Sequence, residues 1–174
     1  RTVLAELGED GVALLDVITA LLNGGKRLRA AFLYWGYRGL GGTNDAGALR
    51  AATAMEFFQA AALLHDDVMD DSAVRRGAPT AHVHFADRHD QLGWLGQPER
   101  FGQAAAILAG DLCLVWTDEI IATSGLPDAE LARARRCFDD MRTQLMAGQF
   151  LDILHSARGW DDLGHAERVD VARK

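Results

Sequence analysis

The sequence uses few cysteines and few prolines. Its two cysteines, Cys113 and Cys137, lie far apart, without the close spacing of zinc sites or disulfide frameworks. This pattern argues against a disulfide-stapled secreted domain and favours a reducing cytoplasm. The three prolines, Pro79, Pro98 and Pro127, fall between long segments, which are therefore free to form long helices.

Long apolar runs and an excess of basic charge are also missing. No stretch approaches the roughly 20 consecutive apolar residues that span a bilayer, and the first ten residues do not resemble a signal peptide. The formal charge of −7, from 25 acidic and 18 basic residues, argues against non-specific attraction to nucleic acid or anionic membranes. With 49% hydrophobic residues among 174, the composition predicts one soluble domain with a substantial core.

Apolar residues recur at helical rather than alternating spacing, which predicts an all-α domain. The predicted helices cover residues 10–22, 26–39, 45–71, 80–91, 98–123 and 127–157, and another begins near residue 162. Asn44 or Asp45 is the expected N-cap of the third helix. From Ala51 to Leu64 this helix carries almost no charge except Glu56, so other helices are expected to surround it. Helices of this length bundle around a central space in which sites can form.

The third helix ends in an aspartate cluster formed by Asp66, Asp67 and Asp70. At spacings of three and four residues, the carboxylates are expected on one helix face, roughly 5 to 6 Å apart. They suit Mg²⁺, which completes its octahedron with water and substrate phosphate oxygens. The alternative is a solvated helix end, but an acidic last turn opposes the helix dipole and favours a bound cation. The apolar approach from Ala60 to Leu64 predicts a substrate with a diphosphate head and a hydrocarbon tail.

A basic segment, GGKRLR, occupies residues 24–29. It sets three cations at a predicted helix start, where their charge is unfavourable unless an anion binds nearby. Lys26 and Arg29 are expected to share one face because they are three residues apart. The alternative is an ordinary solvated helix start.

A second basic pair, Arg75 and Arg76, follows the aspartates after a short loop. Arginine binds phosphate bidentately, and two adjacent arginines can serve two different anions because successive side chains diverge. The alternative is an ion pair with Asp70 or Asp71. Both interpretations can hold at different stages of ligand binding.

These motifs together resemble the trans-isoprenyl diphosphate synthase family over almost the whole chain. The matching segments, in the family's order and approximate spacing, are GGKRLR at 24–29, FFQAAALLHDDVMDDSAVRRGAPTAH at 57–82, AGD at 109–111 and AGQFLDI at 147–153. The resemblance implies an all-α bundle of the isoprenoid synthase type around a central cavity, usually a homodimer. It also implies head-to-tail joining of isopentenyl diphosphate to an allylic diphosphate, with Mg²⁺ as cofactor and pyrophosphate released.

The resemblance also implies a role for each site residue. Asp66, Asp67 and Asp70 match the first aspartate-rich motif, which binds Mg²⁺ bridged to the allylic diphosphate, and Arg75 matches a residue that holds the same diphosphate. The residues that match the clamp for isopentenyl diphosphate are Lys26, Arg29, Arg76 and, as a helper, Gln59. The residues that match the facing helix of the site are Gln149 and Asp152.

Family members that stop at fifteen carbons often carry aromatic residues four and five positions before the first aspartate. Those positions are Ala62 and Ala61 in this chain. Because these aromatic residues are missing, the predicted stop for the growing chain is Phe58, one turn further along the same helix face. The expected product is therefore near twenty carbons, as in geranylgeranyl diphosphate.

The family's second aspartate-rich motif is not found in these 174 residues. The pairs Asp139-Asp140 and Asp161-Asp162 lack its later aspartate and are interpreted as exposed helix charges and a helix cap. Residues 1–174 are therefore expected to be a single synthase domain that lacks its C-terminal helices. Two other functions stay open: a class I terpene cyclase, which needs no second diphosphate site, and a non-catalytic subunit that regulates a complete synthase.

The histidines and several core candidates are given structural roles. His65 is predicted to be a hydrogen-bonded neighbour of the aspartates rather than a ligand. The histidines predicted at solvated helix positions are His82, His84 and His89. The residues expected in the core or in dimer contacts are Cys113, Trp116 and Phe138.

Overall fold

A computed structural model of the chain describes residue 4, residues 6–158 and residue 169. It forms two compact units, Arg1–Gly125 and Leu126–Lys174. The described part of the first unit contains α1 (Gly8–Leu22), α2 (Leu28–Gly39), α3 (Asp45–Met69), β1 (Val74–Arg75), β2 (Ala78–Pro79), α4 (Ala81–Gln91) and α5 (Pro98–Ala122). The described part of the second unit contains α6 (Asp128–Arg158).

α3 is the central helix of the first unit and contacts α1, α2, α4 and α5. Ala48, Ala54 and Ala61 on this helix are fully buried, and their small side chains let the neighbouring helices approach closely. Asn44 is its N-cap, because Asn44 Oδ1 accepts a hydrogen bond from the Gly47 N–H at 2.9 Å. The prediction of a capped, surrounded helix is confirmed.

The hydrophobic core lies where α1, α3 and α5 meet. Ile18, Leu64 and Cys113 contribute to it from these three helices in turn. Burial raises the pKa of the Cys113 thiol to about 12, because a thiolate would be poorly solvated there. Cys113 is therefore a core residue, as predicted.

The start of α2 differs from the prediction, which placed it at residue 26. Arg27 has a φ of 55°, a left-handed conformation that cannot continue into a right-handed helix. α2 therefore begins at Leu28, and Lys26 precedes it. Lys26 and Arg29 do not form the predicted pair on one helix face. The helix predicted near residue 162 lies outside the described residues.

Two of the three histidines predicted at solvated positions are buried. His82, Phe85 and His89 share the face of α4 that packs against α5, because spacings of three and four residues place them together. His89 Nε2 lies 3.1 Å from the carbonyl oxygen of Leu95. The prediction was wrong for His82 and His89, whereas His84 is exposed.

Within the part of the chain that the structure describes, none of the helices combines the length and the hydropathy needed to cross a lipid bilayer.

Candidate functional site

The aspartate cluster lies at the C-terminal end of α3. Asp66 and Asp67 belong to the last turn, and the backbone N–H of Asp70 donates to the Asp66 carbonyl oxygen at 2.9 Å. Asp70 therefore follows Asp66 by one turn. The Asp67 side chain is 2% exposed, against 34% for that of Asp66, and Asp70 is exposed. The two outer carboxylates are accessible, while the middle one is enclosed.

Arg75 encloses the carboxylate of Asp67. Its Nε donates to Asp67 Oδ1 at 2.7 Å, and its Nη2 donates to Asp66 Oδ2 at 3.0 Å. The hydrogen bond to Asp67 is the main cause that raises the pKa of Arg75 above its usual range. The sequence had suggested Asp70 or Asp71 as partners, but the chain after α3 folds Arg75 back along the helix to Asp66 and Asp67.

A short hairpin directs the two arginines to different places. β1 pairs antiparallel with β2, with Arg75 opposite Ala78, so Arg76 and Gly77 form the turn. Both have positive φ, 55° and 81°, which is the pattern of a type I′ turn. Glycine adopts this conformation readily, whereas for arginine it costs roughly 1 to 2 kcal/mol. Arg75 is bonded to Asp66 and Asp67, whereas the guanidinium of Arg76 lies beside Gly24 and Gly25.

Arg76 lies against the turn formed by Gly24 and Gly25. A Cβ atom at position 24 would overlap Arg76 Nη1, and one at position 25 would lie 3.4 Å from Arg76 Nη2. Glycine at position 24 therefore makes room for the guanidinium group. Gly25, whose φ is 97°, also takes a backbone conformation that few other residues adopt.

Four residues predicted to clamp isopentenyl diphosphate line one cavity of about 110 Å³. They are Lys26, Arg29, Gln59 and Arg76. Arg27, between the first two, instead donates to Glu56 Oε2 at 2.7 Å and to the carbonyl oxygen of Leu22. The cavity wall thus contains three cations that can face an anion and a fourth that is paired within the wall.

A larger cavity of about 540 Å³ lies between α1 and the hairpin, and Asp67, Arg75 and Arg76 are among its lining residues. Arg76 and Gly24 line both cavities and so form a shared wall. Asp16 and His84 also line the larger cavity. No motif pointed to these two residues, because each is an isolated polar position on a different helix.

Residues in and just before the AGD segment of α5 contact the end of α3 that carries the aspartates. His65 Nε2 lies 3.1 Å from the Ile107 carbonyl oxygen and 3.4 Å from Asp111 Oδ1. A Cβ atom on Gly110 would overlap the His65 ring. The prediction that His65 is hydrogen-bonded is confirmed, and Gly110 is the residue that allows α5 to approach it.

Of the three residues predicted to set product length, Phe58 and Ala61 are buried and Ala62 is half-buried. The neighbouring Phe57 lines two apolar cavities beside α3, of about 460 and 1130 Å³. It packs edge-on against Trp116, with 5.8 Å between ring centroids. The structure therefore adds Phe57 as a candidate for contact with a hydrocarbon chain.

The residues predicted on the facing helix belong to the second unit. Gln149 and Asp152 lie about one turn apart on α6 and are both half-buried. Asp139 on the same helix pairs with Arg142, with 2.7 Å between Asp139 Oδ1 and Arg142 Nη2. The predicted cap at Asp161-Asp162 lies outside the described residues.

A metal site at the aspartates is chemically consistent with Mg²⁺. Among residues 4, 6–158 and 169, no group of three or more His, Cys, Asp or Glu side chains is arranged to hold a metal ion. Asp66 and Asp70 nevertheless offer two carboxylates one turn apart at an accessible helix end. Mg²⁺ commonly takes one or two protein carboxylates and fills its remaining positions with water and substrate phosphate oxygens.

Comparison with protein families gives a match between residues 12–169 and the model described as polyprenyl synthetase. A geranylgeranyl pyrophosphate synthase from Geoglobus acetivorans is 32% identical over 154 residues, which are 88% of this chain and 42% of that protein. A geranylfarnesyl diphosphate synthase from Aeropyrum pernix is 35% identical over 153 residues, 86% of this chain and 41% of that protein.

A solved structure is also similar to this chain. It is the geranylgeranyl pyrophosphate synthase from Corynebacterium glutamicum, complexed with isoprenyl diphosphate and magnesium, with a TM-score of 0.90 and 35% identity. The match covers 98% of this chain and 49% of that one. The chain thus spans about two fifths of the curated relatives and about half of the solved relative.

Proposed function

This chain belongs to the polyprenyl synthetase family, and on that premise we propose that the protein joins isopentenyl diphosphate head to tail to an allylic prenyl diphosphate. The observation that carries the proposal is the divergence of two adjacent arginines. Arg75 contacts the aspartates at the end of α3, whereas Arg76 lines the cavity that contains Lys26 and Arg29. This arrangement supports the binding of two diphosphate groups at the same time.

The smaller cavity would hold the diphosphate of isopentenyl diphosphate. Lys26, Arg29 and Arg76 supply three positive charges, and the Gln59 amide supplies a neutral donor. Arginine forks bind phosphate oxygens bidentately, and lysine adds a compact charge. The chain's own residues thus fix the head group, leaving the isopentenyl double bond to face the second substrate.

The aspartate end of α3 would hold the allylic diphosphate. We assign Asp66 and Asp70 to bind Mg²⁺, which when bound would neutralise charge on the departing pyrophosphate. Arg75 would donate to the same diphosphate. Arg75 contacts both Asp66 and Asp67, but the Asp67 side chain is only 2% exposed, against 34% for Asp66. We therefore reassign Asp67 from metal binding to positioning this arginine.

The reaction requires little from the protein beyond positioning and charge. The allylic C–O bond breaks, pyrophosphate leaves with the electron pair, and the isopentenyl double bond attacks the allylic carbon to form the new C–C bond. The proton lost after attack passes to pyrophosphate, so no protein base is required. Apolar surroundings keep water from the cation-like carbon.

Two features favour a synthase over the alternatives. The cation-lined cavity argues against a terpene cyclase, and the position of Arg75 argues against a regulatory subunit. A class I terpene cyclase has one diphosphate to bind and needs no second site. A non-catalytic regulatory subunit has no need of a fixed Arg75 beside accessible carboxylates. We further propose one synthase domain that includes both units, because the family match runs across both from residue 12 to residue 169.

The proposal is tested with the full-length natural protein, Mg²⁺, isopentenyl diphosphate and a series of allylic diphosphates. We expect one prenyl diphosphate of defined length, and failure with every starter would refute the function. Arg76→Met should raise KM for isopentenyl diphosphate, whereas Arg75→Met should raise KM for the allylic substrate. If both variants raise the same KM, the assignment of two separate sites is wrong.

We propose a product near twenty carbons, a homodimer and a cytoplasmic location. The relatives include geranylgeranyl synthases, and Ala61 and Ala62 are smaller than the aromatic residues that shorter-chain synthases carry at these positions. Leu108 and Val115, seven residues apart on α5, are each 62% exposed, which suits contact with a second copy. The two cysteines are both free, as expected in a reducing compartment.

A further inference from the structure

Glu56 places an acidic side chain in the wall of a cavity whose other charged lining residues are all cations. It lies about one turn before Gln59 on α3, and both residues line the cavity. The Glu56 side chain is 17% exposed, so solvent screens its charge less than it would screen a surface carboxylate. An unpaired carboxylate at this position would repel a bound diphosphate.

Arg27 pairs with Glu56, makes a second side-chain hydrogen bond and has an unusual backbone conformation. Its Nη1 donates to Glu56 Oε2 at 2.7 Å, and its Nη2 donates to the carbonyl oxygen of Leu22. Its backbone has a left-handed φ of 55° and forms the N-cap of α2. The conformation of Arg27 therefore sets the direction in which the chain enters α2, with Lys26 immediately before it and Arg29 just after it.

We propose that Arg27 and Glu56 form a positioning pair that holds Lys26 and Arg29 at the cavity. The inference rests on the proposed function and adds how its isopentenyl diphosphate site is preorganised. The pair fixes the turn from Gly24 to Arg29 before any ligand arrives. Cations that are fixed in advance lose less conformational freedom on binding, which strengthens the binding of an anion.

A simple electrostatic role for Glu56 leads to the opposite expectation. If Glu56 only added negative charge, Glu56→Gln would remove repulsion, release Arg27 as a further cation and tighten anion binding. If the pair positions the turn, the same variant weakens binding although the site becomes more positive. The sign of the change therefore separates the two roles.

The test titrates inorganic pyrophosphate into the full-length protein without Mg²⁺, at fixed ionic strength. We expect Glu56→Gln to raise the Kd by about threefold to tenfold. In turnover assays, KM for isopentenyl diphosphate should rise to a similar extent, while kcat and the allylic KM stay unchanged. A Kd equal to or below that of the parent would overturn the proposal.

Arg38 and Asp45 provide a matched control. This ion pair, with 2.8 Å between Arg38 Nη1 and Asp45 Oδ1, links the other end of α2 to the start of α3. Asp45→Asn makes the same type of change away from the cavity, so the Kd should stay within about twofold of the parent value. If it rises as much as in Glu56→Gln, loss of helix packing explains both effects and the positioning role is refuted.

A second variant removes the pair without changing the net charge of the cavity wall. Arg27→Gly combined with Glu56→Gln deletes one charge of each sign, and glycine accepts the positive φ at position 27. Weaker pyrophosphate binding is expected here too, and an unchanged Kd would overturn the proposal. These titrations need no turnover, so a parent protein that fails to make prenyl diphosphates refutes the proposed function without deciding the role of the pair.

Discussion

Glycine at position 24 differs from alanine by one methyl group, and that group would occupy the space of the Arg76 guanidinium. We expect Gly24→Ala to displace Arg76 from the cavity and to raise KM for isopentenyl diphosphate by about tenfold. The KM for the allylic substrate should not change, because Arg75 is held by Asp66 and Asp67 and not by the turn at Gly24. Steady-state kinetics with each substrate varied in turn measures both values.

The control for this change is Gly36→Ala. A Cβ atom on Gly36, within α2, meets no other atom within 4 Å, and alanine favours a helix over glycine by about 0.5 to 1 kcal/mol. The variant should therefore be slightly more stable than the parent, with the same KM values. A similar rise in KM for Gly24→Ala and Gly36→Ala would contradict the steric explanation.

The proposed product length gives a second prediction for single residues. Phe58→Ala is expected to give a product longer than that of the parent, because the predicted stop is removed. Phe57→Ala is the matched comparison, since Phe57 lines the two apolar cavities beside α3. Chromatography of the dephosphorylated products measures the length. An unchanged product from Phe58→Ala, together with a longer one from Phe57→Ala, would move the stop to Phe57.

The two cysteines should differ in their reactivity towards an alkylating reagent. Burial raises the pKa of the Cys113 thiol to about 12, so its contribution to stability is complete below the ordinary thiol pKa and is lost as pH rises from the ordinary value to about 12. We expect iodoacetamide at pH 8 to label the exposed Cys137 and to leave Cys113 unmodified until the protein is unfolded. Mass spectrometry of native and denatured samples gives the result, and rapid native labelling of Cys113 would contradict its burial.

At the residue scale, the sequence predicted which residues line the site better than which side chains pair with each other. Lys26, Arg29, Gln59 and Arg76 were named from motifs, and the structure places all four around one cavity. The pairing of Arg75 with Asp67 was not foreseen, because it depends on how the hairpin folds back on α3. Phe57 was also missed, since adjacent phenylalanines on a helix give no sign of which one faces a cavity.

At the scale of elements, the N-terminus of α3 provides a test of stability apart from catalysis. Asn44 Oδ1 caps the helix, and Asn44 Nδ2 donates to the Gly125 carbonyl oxygen at 2.8 Å. Asn44→Ala removes both bonds and should lower the free energy of unfolding by about 1 to 2 kcal/mol. Asn44→Asp keeps the capping acceptor and should lose less. Urea denaturation measures both, and an Asn44→Ala variant as stable as the parent would contradict the cap.

The helices were predicted well because their apolar periodicity extends over many turns. The predicted start of α2 was wrong because a single backbone conformation, that of Arg27, decides it. The hairpin at 74–79 was not predicted, because two-residue strands are too short to show alternation. It forms because Gly77 accepts a positive φ and Arg76 tolerates one, which a residue pattern alone does not reveal.

At the scale of the whole molecule, the apolar face of α5 predicts the state of association. Leu108→Glu places a charge in the proposed contact between two copies and should convert a dimer into a monomer. Leu40→Glu makes the same change at a residue that is 93% exposed in the turn after α2, and it should leave the dimer intact. Sedimentation velocity distinguishes the two masses. A Leu108→Glu variant that remains dimeric would exclude this face as the interface.

His65 and Gly110 occupy one small volume beneath the aspartates, although they belong to different motifs. The size of one residue therefore limits the size of the other. A side chain at position 110 fits only if the residue at position 65 is shorter or turned away. A protein designer who grafts the aspartate segment onto another helical scaffold must therefore supply a glycine on the helix that packs against His65.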